Sequence, residues 1–266
     1  MDTLSYKLNI KIYWGDFITS FLLFLCFFYL VITTGNLLTF IFSSIFLYRV
    51  GAFTHEIAHQ QKNPKLKLFK KIWNLTAGCL MLQPSLRFTI PHLQHHTTGI
   101  FATKKDPQYP LIFSDSTLAF VVFVLLPFLL PLYNLLLVFW PVKNNSLNWL
   151  VNKTIYNDKE EKEIKKYEIY YVIMWTIIFV LVPELILNFY IVSVGAWLLS
   201  VLRIPLEHPL LSYKEFSVSK DQELLSYTHT NILYVIIQPL GLRFHKKHHM
   251  FPKLPYYELR KKNTSS

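Results

Sequence analysis

The chain has 266 residues, 52% of them hydrophobic and 17% aromatic, only 16% charged, and a net charge of +11. Mean hydropathy is +0.30. This balance argues against an ordinary soluble domain. The basic residues border apolar windows and form no reader motif, which argues against nucleic acid as a partner.

Charge placement gives the first elements. No Lys or Arg occurs in 12–48, 106–142 or 167–202. A bilayer core takes about 20 apolar residues per helical pass. The first and third windows are each long enough for two short passes. Each is broken near its middle, by Thr33-Thr34-Gly35-Asn36 and by Pro183-Glu184, both turn signals. Helices are therefore predicted near 15–33, 37–54, 168–183 and 185–203. These form two transmembrane hairpins in an all-α integral membrane protein. A soluble helical core would need polar faces that these segments lack.

The middle window differs. Only 117–140 is strongly apolar, and Pro127 and Pro131 interrupt it. Both flanks are basic, with Lys104 and Lys105 before it and Lys143, Lys153, Lys159, Lys162, Lys165 and Lys166 after it. The positive-inside rule puts both flanks on the cytoplasmic side. The expectation is a re-entrant or interfacial element bent at its prolines, with Asn152 on the inner face. The other basic clusters, 62–71, 243–253 and 260–262, fall on the same side. They orient the chain and attract anionic headgroups, and they suit docking of an acidic electron carrier or acyl carrier.

Cys26 and Cys79 stand in apolar surroundings and read as buried packing residues rather than a disulfide framework. The N-terminus does not read as a cleavable signal peptide. The tail 261–266 is expected to fray. Residues 1–266 read as a single domain, with a histidine-rich cytoplasmic cap that includes the C-terminal segment 204–266.

Nine of the ten histidines fall in four places. His55 and His59 lie in H-E-I-A-H, at the exit of the second predicted helix. His92, His95 and His96 lie in H-L-Q-H-H, after the stretch 73–82, which is too short to cross. Pro91 suits the first turn of their helix. His208 lies at the exit of the last hairpin helix, and His245, His248 and His249 form H-K-K-H-H. Spacings of three and four put each cluster on one helix face. All nine can meet at the cytoplasmic ends of four helices. That is more ligands than one four-coordinate zinc uses, and the pattern asks for two metals. His229 stands alone and reads as an interfacial polar residue.

H-E-I-A-H also matches the H-E-x-x-H of zinc metalloproteases, with Glu56 as general base. That reading lacks a third, acidic ligand and leaves six clustered histidines unexplained. With two metals, Glu56 becomes either a partner of the ligands or a surface residue. A non-enzymatic metal or haem carrier is a further alternative.

The three clusters resemble the histidine boxes of the membrane fatty acid desaturase and hydroxylase superfamily, in its bacterial form. Asp106-Pro107-Gln108-Tyr109 is similar to the D-P-E-Y of bacterial members. Gly241-Leu242-Arg243-Phe244 and Met250-Phe251-Pro252-Lys253-Leu254-Pro255-Tyr256-Tyr257 flank the third box as in that family, and Arg203 to His208 resembles an R-x-x-x-x-H element. The match runs over roughly 50–260. Ile204 stands where some relatives place an Asn or water-held ligand. The resemblance implies two Fe ions held by the nine histidines, with O₂ as co-substrate. It implies desaturation of the acyl chain of a lipid or fatty acyl thioester, the alternative being hydroxylation of a fatty acid, alkane or carotenoid. Little chain remains for an electron-carrier domain, so electrons would come from a separate ferredoxin or b-type cytochrome. Asp106 and Glu207 are the carboxylates expected to orient metal-bound histidines.

Overall fold

A computed structural model describes residues 8–103, 105–108, 117–139, 156–209 and 225–261. Lys104, Tyr109, Lys143, Asn152, Lys153 and the tail beyond 261 lie outside the described residues. The described residues are helical, with no strand among them.

The first hairpin is α1, Ile10–Thr34, and α2, Leu37–His59. Asn9 caps α1 by accepting from Lys11 N at 3.1 Å. Gly35, at φ 59°, ends α1 in the left-handed conformation that glycine adopts without cost. Asn36 then caps α2 by accepting from Leu38 N at 2.8 Å. The short helices α3, Lys67–Leu75, and α4, Ala77–Leu80, follow, then α5, Ser85–His95. Next come α6, Thr117–Phe139, and the second hairpin, α7, Asp158–Leu181, and α8, Glu184–Glu207. The C-terminal segment holds two further short helices, α9, Tyr234–Ile237, and α10, His245–Met250.

Both hairpin turns stand where the sequence puts them, but the helices run further than predicted. An apolar window marks the part suited to lipid, whereas a helix continues into water wherever its ends are capped. α7 starts ten residues early because Asn157 and Glu160 form a reciprocal capping box. Asp158, Glu160 and Glu161 in its first turn complement the helix dipole. α2 continues through His59, so His55 and His59 lie inside the helix rather than past its exit. Among the described residues, α1, α2 and α8 are long and apolar enough to cross a membrane. Their exposed large side chains, among them Leu22, Leu37, Leu38 and Leu187, face outward as lipid contacts would. Cys26 joins that exposed face, and only Cys79 is buried. The even apolarity of α1 hides which side faces the core.

Two cores hold the hairpins. Tyr13, Phe17, Phe53, Phe69 and Trp73 pack with Tyr256 of the C-terminal segment. Phe24, Leu47, Tyr48, Phe189, Val192 and Ala196 join α1, α2 and α8. α2 and α8 approach closely at Gly195, where an added Cβ would lie 2.8 Å from Ser44 Cβ. Ser44 Oγ donates to Val192 O at 3.0 Å across that contact. Small residues at a helix contact and one hydroxyl bond are typical of packing in lipid.

α5 corrects one expectation. Pro91 lies inside this helix, not in its first turn, because Pro84 and Ser85 start it. Asn74 fixes that start by accepting from Ser85 N at 2.7 Å. Pro91 cannot donate to the Arg87 carbonyl four residues back; the Tyr156 hydroxyl donates to it at 3.4 Å instead. The Arg87 side chain turns to α7 and α6. It pairs with buried Glu168 and donates to Leu137 O at 3.2 Å. Lys165 pairs with Glu168 at 2.7 Å. This node satisfies carbonyls at the end of α6, which runs as one helix through Pro127 and Pro131.

Candidate metal centre

All nine clustered histidines converge, and eight of them do so in two compact groups. His55, His59, His92, His96 and His248 place ligand nitrogens within 4.8 Å of one another, as do His95, His208 and His249. His245 joins the second group, with its Nε2 2.9 Å from His208 Nε2 and 3.0 Å from His249 Nε2. The groups touch where the His96 and His249 rings stack with centroids 4.2 Å apart.

The nine histidines come from the ends of two long helices, α2 and α8, and from the short helices α5 and α10. On α5, His92 and His96 face one group while His95 faces the other. On α10, His248 faces the first group and His245 and His249 the second. A run of H-x-x-H-H on one short helix thus serves two neighbouring sites.

The ring tautomers show what the centre requires. Asp106 Oδ2 lies 2.9 Å from His95 Nδ1, so Nδ1 carries the proton and Nε2 a lone pair. Leu225 O lies 2.6 Å from His208 Nδ1, with the same consequence. Yet His95 Nε2 and His208 Nε2 face each other at 3.3 Å. Two lone pairs at that distance repel unless a cation lies between them. Donors sharing a metal at about 2.1 Å stand about 3.0–3.4 Å apart. The His59–His92 and His248–His96 Nε2 pairs, at 2.8 and 3.2 Å, have similar spacing. Buried His55 has no hydrogen bond at either ring nitrogen. The donor set fits metal ions.

Protonation agrees. Burial first, and then the neighbouring imidazoles, push His92, His96, His245, His248 and His249 well below the usual histidine range. Burial and then His95 push His208 down to about 3. The rings are therefore neutral, the form a ligand needs. Burial alone would raise the Asp106 carboxyl. The hydrogen bond from His95, aided by those from Gln108 N and Ala102 N, holds it below the ordinary carboxylate value.

The chain matches the family description "Fatty acid desaturase" over residues 28–264. It belongs to the fatty acid desaturase family. A relative from Caulobacter vibrioides named "Ceramide hydroxylase" is 26% identical over 281 residues, covering 95% of this chain and 80% of the relative. No solved structure matches the chain.

Of the two carboxylates singled out in the sequence, Asp106 touches His95. Glu207 lies 3.6 Å from His245 Nδ1 and 3.5 Å from Arg203 Nε. Glu56 is buried, not a surface residue. It accepts from Tyr13 Oη at 2.6 Å and from Tyr256 N at 3.3 Å, and stands 3.8 Å from His55 Nδ1. Engaged with α1 and the C-terminal segment, it is not the open general base that a protease requires. His229 lies outside both groups: it stacks on Tyr234 and its Nε2 meets Leu206 O at 2.9 Å.

Two partners escaped the sequence reading. Gln108 Oε1 lies 2.9 Å from His92 Nδ1, a role signalled only by its place in Asp106-Pro107-Gln108. The Leu225 carbonyl, being backbone, leaves no residue signal. Phe101, fully buried, packs against His95, His208 and His249.

An apolar cavity of about 420 Å³ lies among α2, α6, α7 and α8 and the turn after α4. Leu47, Met81, Leu135, Trp175, Phe189 and Trp197 are among its walls. It extends from Tyr171 to Phe179 along α7, about 12 Å at helical rise.

Proposed function

We propose that this protein oxidises an unactivated C–H bond in the acyl chain of a membrane lipid, using O₂ and electrons from a separate protein. In this reading, His55, His59, His92, His96 and His248 hold one iron, and His95, His208, His245 and His249 hold the other. The observation that carries it is the pair of facing lone pairs on His95 and His208, set among neutral imidazoles in a chain whose helices α2 and α8 also wall an apolar cavity. Two irons would supply the activation of O₂ needed to break such a bond.

The chain's own groups do the rest. Asp106 and the Leu225 carbonyl fix the tautomers of His95 and His208, keeping both Nε2 lone pairs turned inward. Gln108 does the same for His92. The apolar cavity holds the alkyl chain and excludes water from the reacting carbon. Basic residues around the centre, Lys246 and Lys253 among them, offer a face for an acidic electron donor, a ferredoxin or a b-type cytochrome, on the cytoplasmic side.

Hydroxylation and desaturation consume the same O₂, two electrons and two protons. The first leaves an alcohol and one water, the second an alkene and two waters. The printed name of the Caulobacter relative favours the alcohol, and a ceramide-like lipid as substrate. The family description keeps the alkene as the second reading. The test is iron-loaded protein in nanodiscs with ceramide or phospholipid, a ferredoxin with its reductase, and O₂. Mass spectrometry should find lipid that has gained one oxygen, or lost two hydrogens. Unchanged lipid with every donor would overturn the proposal.

A further inference from the structure

One face of α2 leads from the apolar cavity to the histidines, and one side chain packs against it between them. Leu47, Gly51 and His55 occupy successive turns of one face of α2. Leu47 lines the cavity, and His55 belongs to the metal centre. Gly51 lies between them, about 6 Å along the helix from each. The thioether of Met81 fills that notch: an added Cβ at Gly51 would overlap Met81 Sδ and lie 3.1 Å from Cε. Met81 is itself a wall of the cavity. Phe88 stacks on His92 with centroids 4.8 Å apart and neighbours His55.

Met81 is held there by a strained turn. Leu82, also in the cavity wall, has a positive φ of 51°. That conformation is unfavourable for a non-glycine residue and persists only where the surroundings impose it. Here Asn134 of α6 donates to Met81 O at 3.0 Å, and Gln83 N donates to Gly78 O at 2.9 Å. Methionine suits such a position, being apolar, unbranched and able to change rotamer.

We propose that Met81 is the gate between the alkyl cavity and the metal centre, and that its bulk against Gly51 sets which carbon of the chain is oxidised. This rests on the reading of the protein as an oxidase of acyl chains. The methyl end passes Met81 and descends along α7 and α8 towards their shared turn, where Phe179 and Ile186 complete the walls. The head of the lipid stays on the side of the histidines. Met81 acts by positioning and touches no metal ligand in this account.

Two independent readouts test it. The first is the position of the new functional group in the product. Met81→Ala admits more chain and moves the reacting carbon away from the methyl end by at least one methylene. Met81→Phe moves it the other way. Gly51→Ala pushes only the flexible tip of Met81 and should act as Met81→Phe does, without loss of fold. Iron content stays at the wild-type level in all three. The second readout needs no turnover. Metal-free protein in nanodiscs is titrated with fatty acids carrying a nitroxide at successive carbons. Trp197 fluorescence, isolated by difference from Trp197→Phe, reports depth in the cavity. The label position that quenches best should shift towards the head in Met81→Ala and towards the methyl end in Met81→Phe. Unaltered product position and quenching in all variants, even with lower yield, would reduce Met81 to packing and overturn the gate. Shifted quenching in a protein that oxidises no lipid would keep the gate and overturn the oxidase.

Discussion

The two histidine groups share the short helices α5 and α10 but are held in different ways. In the group of His95, His208, His245 and His249, a carboxylate grips one ring, a carbonyl takes the N–H of another, and Glu207 stands near a third. In the group of His55, His59, His92, His96 and His248, the neutral amide of Gln108 meets His92. His55 has no hydrogen bond at either ring nitrogen, with Glu56 3.8 Å from its Nδ1, while one nitrogen each of His248 in this group and His245 in the other also lacks one. His55, in this group, shares one face of α2 with Gly51 and with Leu47, a wall of the cavity. Carboxylate partners raise ligand basicity and fix ring orientation. The difference predicts tighter metal retention at the site of His95 and a more adaptable geometry at the site of His55.

The strongest way to break this comparison is to remove a ligand from each group. His95→Ala and His248→Ala should each drop bound iron from about two to about one per chain and reduce lipid oxidation to background, read by metal analysis and mass spectrometry. Two irons in both variants would remove these residues from the ligand set. Arg87→Ala comes next. It leaves Glu168, almost fully buried, with Lys165 as its remaining cation. The cost should be about 3 kcal/mol in thermal unfolding. Because α5 serves both groups, it should weaken both sites together.

Smaller changes sharpen the contrast. Asp106→Asn should weaken iron at the anchored site by about 10–100-fold, while Gln108→Ala costs the other site only several-fold, measured by competition with a chelator. Equal losses would erase the distinction. Tyr13→Phe removes the hydroxyl that meets Glu56 beside His55. It should cost about 1–2 kcal/mol of stability and leave the anchored site unchanged.

The sequence was most legible where chemistry is local. Histidines four apart share a group, as His92 and His96 or His245 and His249 do, so the clusters were visible from spacing, whereas the turning of His95 and His248 to the other group was not. The turns at Gly35 and Pro183 were equally plain. Helix ends were not, because capping by Asn157 and the continuation of α2 through His59 lie outside the apolar signal. Pro91 misled, since its missing hydrogen bond is made good by Tyr156, 65 residues away by numbering. The pairing of Arg87 with Glu168, and of Tyr13 with Glu56, joins residues distant in sequence that no spacing rule connects. Met81 in the notch of Gly51 is a matter of packing shape, which residue type alone does not carry.

The central claim is that these nine histidines form two adjacent metal sites. Mössbauer spectroscopy of protein loaded with isotopically enriched iron tests it most directly. Two irons per chain in distinguishable sites, magnetically coupled after oxidation, are the predicted result. A single iron, or two irons without coupling, would contradict it.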